Sequence, residues 1–451
     1  MTGATCSLRY VASSVPCPAN LPNSRILAPM INFRDYSNRT FDSLSVRNYR
    51  LYFIGQGISM SGSWMQSVAQ GLLVLQLTGS GTRLGFVIAL QCLPVLFLGP
   101  WGGIFADRYS KRKILYVTQS ASCILGLTVG VLVMTDAIRL WMVYVVGILL
   151  GFITLFDNPA RSTFVRELVG NDRLTNAIAL SATEMNLTRV IGPAFAGVLA
   201  ATVGLGACFL VDGLSYIPVL ISLYLMRESE LMPAVRVAGG KGQVRAGLEY
   251  VRTSPILRNI LIMMAVIGML TYEFSVMLPL MGEFTFHKGP GAYAAMTAAM
   301  GAGAVVGGLF TASRDIGASP ILVGISGLAF GAAVLSVAFA PSLTIAIVLL
   351  LIVGFFNINF TSFANVTLQL TAAPMMQGRV MALWTMAFIG TTPVGGPVMG
   401  AIGEHGGARI ALAVAGLAAI GAAGWATFAN RRHLASLASF PTQDLVPEAI
   451  E

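Results

Sequence analysis

Twelve stretches of about eighteen or more mostly apolar residues, separated by polar connections, run through this 451-residue chain. They lie at about 51–77, 84–106, 114–135, 140–157, 174–202, 205–226, 259–282, 291–313, 318–340, 342–370, 380–403 and 410–430. Runs of that length match the hydrocarbon thickness a helix crosses at about 1.5 Å per residue. Lipid offers no partner to backbone N–H and C=O groups, so only helices or closed barrels span it, and these runs lack the alternation of barrel strands. The expected fold class is all-α and integral to the membrane, with 12 transmembrane helices. Composition enters only to exclude: 55% of residues are hydrophobic and 10% charged, against about a quarter charged in soluble domains. A soluble multidomain enzyme is ruled out, and so is disorder over most of the chain.

An even number of spans puts both termini on one side. One set of alternate connections, with the tails, holds about 23 of the 28 lysines and arginines. The opposite set holds Arg83, Arg139, Lys288 and Arg409, and Arg189 is left inside a span. The positive-inside rule then predicts cytoplasmic termini. The formal net charge of +9 is explained by this topology, and no basic stripe with interleaved aromatics suggests nucleic acid as a partner. Residues 1–48 have no apolar h-region and read as a largely disordered cytoplasmic tail with a short surface helix near 41–48. A first six-helix bundle is expected over 49–226 and a second over 259–430. Between them, 227–258 is a cytoplasmic linker whose stretch Val244–Arg258 reads as an amphipathic surface helix. Residues 431–451 form a cytoplasmic C-terminal tail. Cys6 and Cys17 lie in the polar tail and Cys92, Cys123 and Cys208 in spans, which makes no disulfide framework.

Short motifs recur at a nearly constant offset. Gly102-Gly103-Ile104-Phe105 in span 2 returns as Gly307-Gly308-Leu309-Phe310 in span 8, an offset of 205. Gly151-Phe152 in span 4 returns as Gly354-Phe355 in span 10, an offset of 203, and Gly192-Pro193 in span 5 as Gly396-Pro397 in span 11, an offset of 204. Each pairs span n with span n+6. Six is even, so the two halves share one orientation, as in carriers that bind solute between parallel repeats and rock one against the other.

The segment Gly103-Ile-Phe-Ala-Asp107-Arg108-Tyr-Ser-Lys111-Arg112-Lys113 closes span 2 and fills the loop to span 3. It resembles the loop signature of the major facilitator superfamily, Gly-x-x-x-Asp-Arg-x-Gly-Arg-Arg/Lys. Leu51-Tyr-Phe-Ile-Gly-Gln-Gly-Ile-Ser, Asp157-Asn-Pro-Ala-Arg161 and Arg189-Val-Ile-Gly-Pro193 are similar to the branch of that superfamily containing the enterobactin exporter and related secretion effectors. The resemblance covers about 41–430. It implies the major facilitator fold in a bacterial cell (cytoplasmic) membrane, and a gating latch. In that latch Asp107 approaches the start of span 11 and Lys111 pairs with Asp157. Two departures stand out: Ser110 replaces the signature glycine, and Lys111 replaces arginine and its bidentate pairing. The second-half counterpart, Thr311-Ala-Ser-Arg314, lacks the acid, so the latch is one-sided. The segments Gly192-Pro193-x-x-x-Gly197 and Gly396-Pro397-x-x-Gly400 are similar to the span-5 packing motif of facilitator antiporters, with a proline kink beside glycines that let helices approach closely. Span 4 lacks the arginine that drug/proton antiporters carry there.

Ionisable groups inside spans cost about 2.5–3.5 kcal/mol or more, so each is a functional candidate. Span 5 carries Glu184 and Arg189, span 6 Asp212 and span 7 Glu273. Arg189, roughly 22 Å along its helix, is expected to pair with one of these acids, while Glu184, Asp212 or Glu273 exchanges protons with a cavity. Polar cavity candidates are Gln56, Ser59, Gln66 and Gln70 on span 1 and Asn357, Asn359, Asn365 and Gln369 on span 10, with Trp64, Phe156, Phe355 and Phe360 as aromatic walls. Such a lining suits an amphipathic organic solute.

No Gly-x-x-x-x-Gly-Lys-Ser/Thr loop is present, so no ATP site is expected. His287, His405 and His433 lack metal-ligand spacing and no nucleophile has a neighbouring base. The expectation is a protein that is not an enzyme, needs no cofactor and works as a monomer in lipid. It would export a siderophore, antibiotic or drug-like molecule by alternating access, coupled to a proton gradient. Uptake in the opposite direction is the alternative within transport, and a non-transporting or lipid-handling scaffold the alternative outside it.

Overall fold

The computed structural model describes residues 41–232, 243–312 and 319–438; at positions 100, 102–104, 106, 107, 243–246, 312 and 433–438 only the backbone is described. The chain divides after Phe41, and everything below concerns Asp42 onward. The tail expected over 1–40, the glycine-rich part of the linker and most of the C-terminal tail lie outside the described residues.

Helices α1 (Arg47–Thr78), α2 (Gly81–Arg108), α3 (Lys111–Met134), α4 (Leu140–Val169), α5 (Leu174–Thr202) and α6 (Leu205–Leu225) are spans 1 to 6. A short helix, α7 (Gln243–Thr253), follows. Span 7 is broken into α8 (Pro255–Leu270) and α9 (Phe274–Leu280), the latter ending in a π turn, Met281–Thr285. Spans 8, 9 and 10 are α10 (Gly289–Ala312), α11 (Pro320–Ala338) and α12 (Leu343–Thr371). Span 11 is broken into α13 (Gln377–Ile389) and α14 (Thr392–Gly406), and span 12 is α15 (Ala408–Ala438). Among the described residues nine helical segments are long and apolar enough to cross a membrane on length and hydropathy alone. The other three expected spans are α1, α5 and α13–α14. The first two carry the amide, hydroxyl and charged residues noted above, and the third is interrupted.

The connections alternate between two ends of the bundle. The tail end holds residues 42–46, 109–110, 170–173 and 372–376, and the far end holds 79–80, 135–139, 203–204 and 286–288. Within the first six spans α1 packs on α5 and α6, α2 on α4, and α3 on α6. Within the last six α10 packs on α12, α11 on α12 and α15, and α8 on α15. Two helix pairs make most of the contact between the sets: α2 with α14 and α5 with α10. These are spans 2 with 11 and 5 with 8, which a shift of six spans interchanges.

The repeated glycines do equivalent work. A side chain at Gly151 would strike the Gln91 carbonyl and Pro94 of α2, and one at Gly354 would strike the Met300 carbonyl of α10. Span 4 thus lies as close to span 2 as span 10 does to span 8, because neither position carries a Cβ.

Two local readings need correction. The short helix expected near 41–48 is a 3-10 turn, Asp42–Ser45, tied down by Ser43 Oγ donating to Asn176 Oδ1 at 2.6 Å and by an Asp42–Arg173 ion pair at 3.0 Å. The amphipathic helix stops at Thr253, not Arg258, because Pro255 opens α8 at a first-turn position where its missing N–H costs nothing. Leu257 consequently belongs to the buried face of α8.

Candidate functional site

A cavity of about 620 Å³ lies between the two sets of spans. From the first set it is walled by Trp64, Ser67 and Val68 of α1 and by Met185, Asn186 and Arg189 of α5. From the second come Tyr272, Phe274 and Ser275 at the break in span 7, Tyr293, Thr297 and Met300 of α10, Asn357, Thr361 and Asn365 of α12, and Trp384 and Phe388 of α13. Hydroxyl and amide side chains come from both sets, the cation Arg189 from the first, and all the lining aromatics but Trp64 from the second. The Tyr272 hydroxyl donates to Asn357 Oδ1 at 2.5 Å, and its ring meets Phe388 edge-on with centroids 4.8 Å apart.

The break that exposes Tyr272 and Phe274 sits against the break in span 11. Gly268 lies against the Ala387 and Phe388 carbonyls and the Thr391 hydroxyl, so interrupted backbone from both helices meets beside the cavity. Interrupted helices at mid-membrane are tolerated where they line a cavity or are enclosed by protein. Tyr272, Phe274, Trp384 and Phe388 had no signal in the sequence, because an aromatic in an apolar span reads the same whether it faces lipid or cavity.

Of the polar positions expected in the cavity, Asn357 and Asn365 line it. Gln66 and Gln70 instead face a second, smaller cavity of about 170 Å³ inside the first set of helices, along with Ser122, Asp157, Arg161 and Tyr216. Asn359 is turned away, accepting from Thr311 Oγ1 at 2.9 Å and donating to the Phe355 carbonyl. Gln56 is buried, with neither amide atom partnered among the described residues, and Gln369 binds Asn365 at an exposed position. Trp64 reaches the cavity, whereas Phe156, Phe355 and Phe360 pack against Phe105, Phe310 and Phe330.

Arg189 does not pair with an acid. Its guanidinium lies 4.8 Å from the centroid of the Trp64 ring, in the cavity wall, and among the described residues no carboxylate comes within ion-pair distance. The expected pairing fails for geometric reasons. Glu184 is five residues away on the same helix, about 140° around it at 3.6 residues per turn, and its carboxylate packs against Gly57. The Asp212 carboxylate is enclosed between Gly62 of α1 and Gly126 of α3, and that of Glu273 lies against Gly395 and Gly396 of α14. Glu184 Oε1, both oxygens of Asp212 and Glu273 Oε1 have no hydrogen-bond partner among the described residues. Burying a carboxyl without a partner is costly, which keeps all three as functional candidates.

The basic loop holds the first set of helices together. Lys111 Nζ pairs with Glu167 at 2.8 Å, not with Asp157. Helix α4 runs ten residues beyond Asp157 to Glu167, about 15 Å at 1.5 Å per residue, so the acid level with the loop is Glu167. Asp157 sits deeper and pairs with Arg161, accepting from its Nε at 2.9 Å, from Thr118 Oγ1 at 2.7 Å and from Gln119 Nε2 at 2.8 Å. Arg112 donates to the Leu223 carbonyl at 2.8 Å and pairs with Glu228. Arg108 is exposed. The side chain of Asp107 and the surroundings of Gly103 lie outside the described residues, as does Arg314.

At the far end glycines let the two sets approach closely. Gly85 abuts the Gly396 carbonyl, Gly81 abuts Gly400, and Gly197 of α5 lies against Gly291 and Ala294 of α10. One acid, which sequence reasoning did not single out, fastens this seam. Glu404 in the last turn of α14 accepts through Oε2 from Ser80 Oγ at 2.7 Å, Thr82 Oγ1 at 2.6 Å and Thr82 N at 3.0 Å. It so sits at the N-terminus of α2, where free N–H groups and the helix dipole favour an anion. Those hydrogen bonds hold its carboxyl down to about 2, below its ordinary 4.5. Toward the tail end, by contrast, the wall residues Ala182 and Met185 are exposed.

Two parallel sets of six spans, joined by the span 2–11 and span 5–8 pairs around one central cavity, define a membrane carrier. The chain matches the transmembrane secretion effector family over residues 38–449 and belongs to it; this is a family of major facilitator transporters, not of enzymes. It is 25% identical over 239 residues to the staphyloferrin A transporter of Staphylococcus aureus, an alignment covering 52% of this chain and 60% of that protein. It is 27% identical over 360 residues to the multidrug efflux pump Tap of Mycolicibacterium fortuitum, covering 76% and 87%. It is 24% identical over 361 residues to the enterobactin exporter EntS of Shigella flexneri, covering 79% and 85%. In fold it is similar to a bacterial homologue of the human lysosomal transporter Spinster in an inward-facing, unoccupied conformation. The TM-score is 0.65 at 14% identity, covering 86% of this chain and 97% of the other.

Proposed function

We propose that this protein is a secondary exporter that moves amphipathic small molecules of the siderophore, antibiotic or drug class out of the cytoplasm by alternating access, in exchange for protons. The observation that carries this reading is the 620 Å³ cavity between the two sets of spans, with close glycine crossings between the sets toward the far end and exposed wall residues toward the tail end. Counting lysines and arginines puts the tail end in the cytoplasm, so the cavity loads from the cytoplasmic side. Arg189 in the wall from the first set, with the aromatic residues of spans 7 and 11 in the wall from the second, suits a solute with two faces. Glu184, Asp212 and Glu273, buried and short of partners, are the candidate proton carriers, and Asp107 remains the candidate gating acid. Relatives named as an enterobactin exporter and a multidrug pump support the direction and the solute class.

The test is flux in proteoliposomes of known orientation over a chemically diverse solute panel. Solute should leave from the cytoplasmic face faster when the far face is made acidic. Accumulation in the opposite direction alone would favour uptake. Absence of flux for every solute, unchanged by Asp107→Asn, would favour a non-transporting membrane protein.

A further inference from the structure

Resting on the transporter reading above, we infer that the central cavity is an anion site: Arg189 binds an acidic group of the solute, a carboxylate or another oxyanion, while the aromatic wall holds its apolar body. Among the 23 residues that wall the cavity, Arg189 is the one cation and there is no acid. Nothing within the protein supplies its counter-charge among the described residues, because the acids of spans 5, 6 and 7 are each packed at a helix crossing facing elsewhere. A guanidinium this deep in a span is expensive unless something compensates it. The Trp64 face at 4.8 Å compensates part of it. Among the described residues no hydrogen-bond acceptor or carboxylate engages its N–H groups, and a planar fork of donors matches a carboxylate or similar oxyanion.

Arg189 also shares the cavity with aromatic residues of the second set. Tyr272, Trp384 and Phe388 form the other wall of the same cavity, so a solute with an acid at one end and a ring or acyl body at the other satisfies both walls at once. A cationic solute would meet like charge at Arg189 and no carboxylate anywhere in the lining. The cavity therefore selects against the lipophilic cations that many drug carriers accept.

The test uses full-length protein in lipid nanodiscs and three fluorescent probes that differ in one group: dansylglycine (carboxylate), dansylglycinamide (neutral) and dansyl-ethylenediamine (cation), with empty nanodiscs subtracted. Wild type should bind the carboxylate about tenfold more tightly than the amide, and the amine least. Arg189→Lys should keep part of that preference, and Arg189→Gln should abolish it while leaving amide binding within about twofold. The inference is overturned if wild type binds carboxylate and amide equally, if it binds neither, or if Arg189→Gln keeps the preference. Should Arg189→Gln fail to fold, the wild-type ranking and the lysine variant decide. Flux of the same probes separates this from the export reading. Transport with no charge preference refutes the anion site alone, and carboxylate-selective binding without flux refutes export alone.

Discussion

Replacing Glu404 by glutamine should unfasten the far end. In the structure three donors converge on Oε2, two of them from Thr82 in the first turn of α2. They hold the carboxyl at about 2, against 4.5 ordinarily. Taken at full value, a shift of that size is about 3 kcal/mol in favour of the closed state. Glu404 is exposed, however, and screening by water reduces the net contribution to about 1–1.5 kcal/mol. Glu404→Gln keeps an acceptor but loses the charge, so the ratio of far-end-open to far-end-closed protein should rise about five- to tenfold. The sign with pH follows from the depressed value. The carboxylate's contribution is fully present above about 4.5 and is lost as pH falls toward 2. Between pH 5.5 and 8 the difference between wild type and variant should therefore be constant. Electron–electron resonance distances between labels at Thr135→Cys and Phe339→Cys, both exposed at the far end, would read the populations once the five native cysteines are replaced. An unchanged distance distribution in Glu404→Gln would refute the reasoning. So would a wild-type–variant difference that changes between pH 8 and 5.5.

Two further expectations test the packing. A side chain at Gly85 would overlap the Gly396 carbonyl and the Pro397 nitrogen. Gly85→Val should accordingly cost the closed far end about 1–3 kcal/mol and sharply slow transport, whereas Gly99→Val, with nothing in reach of its Cβ, should leave flux near wild type; equal effects would remove the seam from the mechanism. Asp157→Asn leaves the Arg161 guanidinium without its counter-charge beside Thr118 and Gln119. A loss of about 2–3 kcal/mol is expected, read as a lower thermal midpoint in detergent, larger than that of Lys111→Gln at the shallower Glu167 pair.

The loop signature and the intramembrane charges mark the limit of what the order of residues alone shows. Lys111, Asp157, Glu184, Arg189, Asp212 and Glu273 were all identifiable as residues out of place in or beside an apolar span. Their partners were not. Lys111 meets Glu167 because α4 projects further than its apolar run, and Arg189 meets Trp64 because Glu184 points about 140° away on the same helix. Glu404 drew no notice, since an acid just past a span is unremarkable until the N-terminus of α2, more than 300 positions earlier in the chain, is brought beside it.

The number of spans and the twofold repeat needed nothing but the sequence. Transfer of a helix into lipid sums contributions from about twenty consecutive residues, each acting almost independently, so a local window suffices; the repeat shows because matched glycines recur at matched offsets. Which side chain faces the cavity is of another kind. It turns on the rotation of each helix, on breaks such as those at Tyr272 and Gly390, and on how closely glycines let distant helices approach. Those quantities exist only once segments hundreds of residues apart are packed together, and for that reason the tertiary structure alone decided that Arg189 faces the cavity without a counter-charge among the described residues and that Glu404 binds the N-terminus of α2 at the far end.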